Sequence, residues 1–161
     1  MMDTGQTLGN IRSFFEANLA LTMAIPHFNL FDNAKTVYTR SRMLPPAKIN
    51  GTMLIRTIIA EGSIILASRI EDSVVGIRSR IGIDTTIITS YVMGNDFYET
   101  LEEIHHSIEK GIPEVGIGDR CYIKNAIVDK IVALVMMFVL MPVLIYQTRI
   151  MPYLLLKMVL Q

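Results

Sequence analysis

Between residues 49 and 94 an aliphatic residue returns about every six positions. The repeat runs through Ile58, Ile64 and Ile70 and, after a slip of one residue, through Val75, Ile81 and Ile87. Neither an α-helix, with a period of about 3.6 residues, nor an alternating strand, with a period of about 2, produces this spacing. It is typical of a solenoid whose coils each hold three short strands, every strand placing one aliphatic side chain inward. The sequence therefore predicts a mainly β fold, a parallel β-helix of hexapeptide repeats.

The repeat is interrupted once. It resumes at Ile117, Ile123 and the pair Ile127-Val128. The excursion at about residues 95–113 carries Leu101, Ile104 and Ile108 on one helical face. Thr100 and Glu103 have the spacing of a capping box, which begins a helix. We therefore predict one helix on the outside of the solenoid.

Two further zones precede the repeat. Residues 10–22 predict a packing helix that Asn10 caps. Its apolar residues recur at helical spacing: Ile11, Phe14, Phe15, Leu19 and Ala20. Residues 23–48 predict an extended connector, because Pro45-Pro46 forbids a helix there.

Charge and cysteine content argue against several classes of protein. Fifteen basic residues balance fifteen acidic ones, so no net field favours nucleic acid or an acidic membrane surface. The single cysteine, Cys121, cannot form an internal disulfide and fits a reducing compartment. No basic segment precedes an apolar stretch at the N-terminus, so we expect no secretory signal and a cytoplasmic location.

Six blocks of sequence carry a resemblance to a known family. The blocks are residues 10–22, 38–48, 59–62, 73–82, 93–100 and 115–130. In this order they resemble glucose-1-phosphate adenylyltransferase (ADP-glucose pyrophosphorylase) over roughly residues 9–130. The resemblance implies that the β-helix is left-handed and corresponds to the C-terminal domain of that family. The predicted fold is then a left-handed parallel β-helix with an N-terminal helix and one external helix.

The family resemblance also implies a function. In that family an N-terminal α/β domain converts ATP and glucose 1-phosphate to ADP-glucose and pyrophosphate for glycogen or starch synthesis. The β-helix helps to assemble a tetramer and shapes allosteric sites for phosphorylated sugars, with phosphate or sulfate inhibiting. The chain is thus expected to be a fragment that retains the assembly and allosteric domain, with residues 1–22 as a remnant helix from the end of the missing catalytic domain. Intact adenylyltransferase subunits are the implied partners, and phosphorylated sugars or phosphate are implied weak ligands.

The chain departs from the family pattern where catalysis would require it. The family's G-G-G-x-G-x-R-L loop, whose amides hold nucleotide phosphates, has no counterpart, since Gly116-Ile-Gly118 is predicted to be a solenoid turn. Thr7 stands where the family has the Asp of W-E-D-I-G that holds magnesium, and a hydroxyl lacks the anionic oxygen that Mg²⁺ prefers. The intact family uses Mg²⁺ and ATP, but this chain is expected to bind no cofactor and to have no catalytic residue of its own.

Arginines provide the candidate binding site. Arg40 and Arg42 alternate along the connector, so they are predicted to share one face and to clamp a phosphate or sulfate. By resemblance the Arg42 position belongs to the family's regulatory anion site, whereas Arg40 replaces a commonly uncharged residue. Arg78 and Arg80 also alternate and are predicted to share a strand face that is solvated or paired at an interface.

Other reactive side chains have ordinary interpretations. His105 and His106 are adjacent on the external helix and therefore project in different directions, so a solvated pair is favoured over a metal site or a general base. Cys121 falls where a coil requires a small residue, and nothing in the sequence predicts a nucleophile there.

The hexapeptide pattern is predicted to end at Lys130, so the β-helix is assigned to residues 49–130 and residues 131–161 to an apolar tail. A membrane span would need about 20 apolar residues, whereas the longest apolar run here is shorter and contains Pro142. A frameshifted tail is the favoured interpretation, because permitted codons read one base earlier from Lys130 restore a hexapeptide coil and then family-like sequence. Sequencing of the locus tests this interpretation.

Two alternative functions remain open at this stage. One is a stand-alone hexapeptide-repeat acyltransferase, which would need a catalytic histidine in a trimer groove. The other is a membrane-anchored β-helix binding module held by residues 131–161.

Overall fold

The computed structural model describes residues 10–130, 132–134, 139–140 and 144–145. Within these ranges the chain forms helices α1 (Ile11–Ala20) and α2 (Leu101–Glu109) and a single 3-10 turn at Asn33–Lys35. Fifteen strands of two or three residues follow one another around three parallel sheets. Two helices on a mainly parallel β framework confirm the predicted class.

Each sheet collects every third strand. Sheet A contains β1 (Lys48–Ile49), β4 (Ile64–Ile65), β7 (Arg80–Ile81), β10 (Gly116–Ile117) and β13 (Ala133–Leu134). Sheet B contains β2 (Met53–Ile55), β5 (Arg69–Glu71), β8 (Thr86–Ile88), β11 (Tyr122–Lys124) and β14 (Val139–Leu140). Sheet C contains β3 (Ile58–Ile59), β6 (Val74–Val75), β9 (Tyr91–Val92), β12 (Ile127–Val128) and β15 (Leu144–Ile145). The chain therefore visits sheets A, B and C in turn, and every coil rests on the coil before it.

The interior consists of aliphatic side chains stacked from coil to coil. Its buried members include Ile65, Ile70, Val75, Ile81, Ile87, Val92, Ile117, Ile123 and Val128. The prediction that Ile58 and Ile64 point inward is wrong, because the inward positions are Ile59 and Ile65. The turn from sheet A to sheet B is one residue shorter before Ile70 than before Ile87. Counting back six residues from Ile70 therefore reaches Ile64, whereas the inward residue is Ile65.

The corner after sheet B depends on left-handed backbone. Arg56, Asp72, Thr89 and Asn125 occupy it in successive coils, with φ between 45 and 53°. From Asp72 onward, each amide donates to a carbonyl of the coil below, as Asp72 N–H does to Ile55 O at 3.0 Å. These hydrogen bonds compensate for a conformation that side-chain-bearing residues seldom adopt.

Small polar side chains fill other corners from the inside. Thr85 Oγ1 donates to Gly118 O at 2.7 Å and accepts the amide N–H of Cys121 at 3.0 Å. At the next corner Ser73 Oγ likewise accepts an amide of the following coil, Ser90 N–H at 3.0 Å, but it donates to Glu71 O within its own coil. Cys121 takes the place of Thr85 in the following coil and is buried there, in agreement with the small residue expected at this position.

Helix α1 packs on the outer face of sheet C. Asn10 caps it through its side chain, which accepts Ser13 N–H at 2.8 Å. Phe14 meets the ring of Tyr91 edge-on with 5.3 Å between ring centroids, and this burial raises the pKa of the Tyr91 phenol. Ile127, the neighbour of Tyr91 in sheet C, is also buried. The predicted packing helix therefore covers one face of the solenoid.

Strand pairing continues past residue 130, so the predicted boundary there lies too early. Ala133–Leu134 pairs with Gly116–Ile117, and backbone pairs at Val139–Leu140 and Leu144–Ile145 extend the other two sheets. The prediction expected strand pairing only where the sequence keeps the hexapeptide pattern. Parallel pairing uses backbone groups, so the apolar residues after Lys130 pair as well. Most of the predicted tail lies outside the described residues, and its frameshift origin stays a prediction. Neither α1 nor α2 has the length and apolar character that spanning a membrane requires, and the described ranges contain no other α-helix.

We predict that Ile87→Ala lowers the free energy of unfolding by about 2–5 kcal/mol, because Ile87 is fully enclosed between two coils and its loss leaves a cavity. Ile83→Ala is the matched control, since 54% of Ile83 is exposed, and it should change stability by less than about 0.5 kcal/mol. Urea unfolding followed by circular dichroism measures both. Equal losses would contradict the assigned core.

A second prediction concerns acid stability. The hydrogen bond from Arg56 holds the pKa of Asp72 below its ordinary value, with Nη2 of Arg56 at 2.7 Å from Oδ2 of Asp72. A depressed pKa contributes stability above the unfolded-state value of about 3.9 and loses it as the pH falls through the folded-state value. The stability difference between wild type and Asp72→Asn should therefore shrink as the pH is lowered from about 6 to about 3.

Asp84→Asn is the control for the loss of the ion pair. Asp84 has the same left-handed backbone, but its carboxylate forms no ion pair with any described residue. At pH about 6 it should lower the free energy of unfolding less than Asp72→Asn does. High salt should reduce the Asp72 effect, because the pair lies near the surface.

Candidate functional site

The connector lies on the surface as an exposed strap, defined here as residues 23–43. It contributes no residue to the buried core. Its exposed large apolar side chains are Met23, Ile25, Phe28, Leu30, Phe31, Val37, Tyr38 and Met43. Ile25, Tyr38 and Met43 are each more than 90% exposed. So many uncovered apolar groups on one segment are typical of a contact surface.

One corner of the first coil holds the end of the strap in place. The amide N–H of Gly62 donates to Pro45 O at 2.7 Å. Gly62 has φ +73°, and a Cβ there would contact the side chain of Leu44 at 3.4 Å and collide with Tyr98 Oη. A side chain at position 62 would therefore displace the Tyr98 hydroxyl and strain the left-handed backbone, so the corner favours glycine.

The same corner anchors the excursion. Tyr98 Oη donates to the carbonyl of Gly62 at 2.9 Å, and the guanidinium carbon of Arg78 lies 5.6 Å from the centroid of the Tyr98 ring. We call Leu44, Pro45, Gly62, Arg78 and Tyr98 the Gly62 corner. It joins three segments that are far apart in sequence.

The predicted anion clamp lies next to this corner. Arg40 and Arg42 are exposed in a segment that belongs to no helix or strand, and Arg42 precedes Leu44 by two residues. Neither guanidinium forms a hydrogen bond or an ion pair with another described residue. Both are therefore available to an anion, although the structure contains no ligand to test their predicted role.

The prediction that Arg78 and Arg80 share one strand face is wrong. Arg78 has φ +54° and belongs to the corner, because strand β7 begins only at Arg80. Arg80 instead forms an ion pair with Glu114 at 3.2 Å, on the segment that returns from the excursion. Sequence reasoning also missed Gly62 and Tyr98, because no local signal pairs residues 36 positions apart.

A cleft of about 330 Å³ lies on the outer face of sheet A. Arg80, Glu114 and Asp119 supply its charged groups, and Ile64 and Leu66 supply an apolar wall. Asp119 Oδ1 already accepts Ile83 N–H at 2.7 Å, and the Arg80–Glu114 pair is internally neutral. The cleft therefore attracts an anion less than the arginines of the strap do.

In the part of the chain that the structure describes, no cluster of side chains is suited to bind a metal ion or to act as a nucleophile. His105 and His106 are exposed on α2, and no group of three potential metal ligands occurs there. The expectation that this chain binds no Mg²⁺ rests on Thr7, which lies outside the described residues, so it stays a prediction. Cys121 is buried among backbone groups of the corner and is not placed to react with a substrate.

Comparison with known proteins agrees with this architecture. Residues 42–141 match the family model described as the GLGC left-handed parallel beta-helix domain. The chain is also 42% identical to glucose-1-phosphate adenylyltransferase large subunit 2 of Hordeum vulgare over 127 residues, which make up 79% of this chain and 70% of that protein. The family model gives the hand of the β-helix as left, as predicted, and it extends beyond residue 130 as the strand pairing does.

We predict that Tyr98→Phe lowers the free energy of unfolding by about 0.5–1.5 kcal/mol and speeds amide exchange around Gly62, because it removes the hydroxyl that joins the excursion to the first coil. Tyr122→Phe is the control, since no described residue is hydrogen-bonded to that hydroxyl. Hydrogen–deuterium exchange measures both variants. Unchanged exchange at Gly62 in Tyr98→Phe would contradict the anchor.

Proposed function

Because this chain belongs to the glucose-1-phosphate adenylyltransferase family and carries its left-handed β-helix, we propose that it is a regulatory and assembly module that works with adenylyltransferase subunits. The matched barley protein is itself named as a subunit, which supports a role in an assembly. A reducing cytoplasm is the proposed setting, in keeping with a sequence whose single cysteine cannot form an internal disulfide.

The exposed strap is the observation that carries this proposal. Ile25, Phe28 and Phe31 form its N-terminal half and lie more than half exposed, with no core beneath them to bury them. An uncovered apolar segment held at a fixed anchor is suited to binding a partner, because the anchor limits the entropy lost on association. The proposed partner of this half is a catalytic adenylyltransferase subunit.

Catalysis is assigned to that partner. Adenylyl transfer requires a phosphate cradle, a metal ion and a positioned acceptor in one place. In place of these groups, the described part of the chain has three stacked sheets around a hydrophobic interior, and surface ion pairs such as Arg80–Glu114. The module therefore contributes position and regulation to the reaction and no reacting group.

Regulation is assigned to Arg40 and Arg42. Their guanidiniums are free of protein partners among the described residues, and both residues come shortly before Pro45, whose carbonyl accepts Gly62 N–H. Planar guanidiniums bind phosphate oxygens in a bidentate manner, so phosphate, sulfate or a sugar phosphate is the proposed ligand. Binding is expected to be weak in the chain alone, because both side chains are solvated.

Co-expression with an intact adenylyltransferase subunit tests the assembly role. We expect a complex that survives size-exclusion chromatography, with ADP-glucose synthesis by the complex and none by the chain alone. Ile25→Asp with Phe31→Asp should abolish the complex, since both charges would be buried at the contact. Ile83→Asp, at a site outside the strap that is 54% exposed, should leave it intact. Failure of the wild-type chain to bind would overturn the proposal.

Sulfate titration of the purified chain, followed by NMR, tests the regulatory site. We expect Arg42→Ala to weaken sulfate binding by about 3- to 10-fold, which corresponds to the loss of one exposed charge-assisted hydrogen bond. Arg12→Ala removes an exposed arginine on α1 and is the control, for which no change is expected. Equal effects of the two substitutions would show general ionic attraction instead of a site.

A further inference from the structure

The turn between β1 and β2 of the first coil contains the pair Asn50-Gly51, and no other asparagine of the sequence is followed by glycine. Both residues are exposed. Neither the side chain of Asn50 nor the N–H of Gly51 forms a hydrogen bond with any described residue. An unbonded side-chain amide therefore lies next to an unbonded main-chain amide, and the two groups are able to react with each other.

Gly51 leaves space for that reaction. It has φ +69°, and the place that its Cβ would take has no atom of another part of the chain within 4 Å. Because glycine has no side chain, its backbone also rotates more freely than that of any other residue. The nitrogen of Gly51 can therefore approach Cγ of Asn50 without pushing a side chain aside.

Every other asparagine is held in a way that Asn50 is not. In four of them the side chain itself is hydrogen-bonded: Asn10, Asn18, Asn29 and Asn95. In the other two the following amide is bonded, since Ala34 N–H donates to Asp32 Oδ1 and Ala126 N–H donates to Ser90 Oγ. The amide next to Asn125 is also buried. Asn50 alone among the asparagines thus has both reacting groups unengaged by described residues.

We propose that Asn50 is a site of spontaneous deamidation, with water as the co-reactant. The Gly51 nitrogen loses its proton and forms a bond to Cγ of Asn50, while the bond from Cγ to Nδ2 breaks and Nδ2 leaves as ammonia. Water then opens the cyclic imide at one of its two carbonyls. Opening at Cγ gives aspartate, and opening at the main-chain carbonyl gives isoaspartate. No enzyme and no metal ion takes part.

The isoaspartyl product alters the joint between the first two coils. It carries the main chain through the former side chain, which adds one methylene group after the nitrogen of residue 50. Asn50 N–H donates to Ile65 O at 3.0 Å, and Met53 N–H donates to Ser68 O at 3.0 Å. The added methylene lies between these two bonds, so both cannot keep their geometry. The first coil therefore loosens from the second, whether or not the strap binds a partner.

Incubation of the purified full chain in mildly alkaline buffer, followed by peptide mapping, tests the site. Trypsin releases Asn50 in residues 49–56 and Asn125 in residues 125–130, and mass spectrometry detects replacement of the amide NH₂ by OH. We expect peptide 49–56 to convert with time into two chromatographically distinct products, faster at higher pH because the Gly51 nitrogen reacts after losing its proton. Peptide 125–130 should stay unchanged. No conversion at Asn50, or equal conversion at Asn125, would overturn the inference.

The rate in the urea-unfolded chain is the reference for the native site. We expect the native rate to lie within about tenfold of it, because a site that the fold protects would react only through local opening. A native rate far below the unfolded one would contradict the open geometry of the turn. Asn50→Gln should stop the conversion, since glutamine would have to close a larger ring, and Asn125→Gln should leave conversion at Asn50 unchanged.

Hydrogen–deuterium exchange tests the consequence for the coil. Faster exchange at Met53 is expected in the converted chain and not in Asn50→Gln after the same incubation. Asn50→Asp is the matched control, because it introduces the negative charge without the added methylene, and it should leave exchange at Met53 near the wild-type rate. Unchanged exchange in the converted chain would show that the first coil tolerates isoaspartate and would overturn the proposed loosening.

Discussion

The whole structure depends on contact between one coil and the next. A strand of two or three residues has no stability of its own, and here each strand is held by parallel backbone pairing to the same sheet one coil away. The aliphatic columns through Ile65 and Ile81, through Ile70 and Ile87, and through Val75 complete that contact from inside. Helix α1, the excursion and the strap are all attached to this stack and take their positions from it. A defect in one coil interface therefore affects every attached element, because no second core supports them.

The coil architecture was predictable because its cause is local. Each strand places one aliphatic side chain inward, so the spacing of isoleucines along the chain reveals the coil directly, and Val75, Ile81 and Ile87 were assigned correctly. The register before Ile70 was not predictable from spacing alone. The turn after Ile65 is one residue shorter than the turn after Ile81. In the pairs Ile58-Ile59 and Ile64-Ile65, either isoleucine could be the inward one as far as the sequence shows. Arg78 was misplaced for a related reason, since alternation predicts a shared face only within a strand and its backbone turns left-handed before β7 begins.

The candidate site was predictable only in part. Arg40 and Arg42 could be singled out because two guanidiniums near a Pro-Pro pair are visible in the sequence. The corner that gives them a fixed place could not, because Gly62 meets Leu44 and Tyr98 through contacts that span 18 and 36 positions. Long-range contacts of this kind follow from the coil geometry and leave no periodic signature. The prediction also missed the continuation of the sheets beyond Lys130. It looked for the hexapeptide pattern of side chains, whereas the strand pairs there form through backbone groups.

The hydrogen bond from Gly62 N–H to Pro45 O has a mechanical consequence. Tension applied to the strap reaches the solenoid at two places, through α1 where Phe14 meets Tyr91 and through Pro45 where Gly62 of the first coil holds it. That coil is joined to the second through the pairs β1–β4, β2–β5 and β3–β6, which follow one another along the chain. Traction at the C-terminal end of the strap therefore acts on these three strand pairs before it acts on the pairs between the second and third coils.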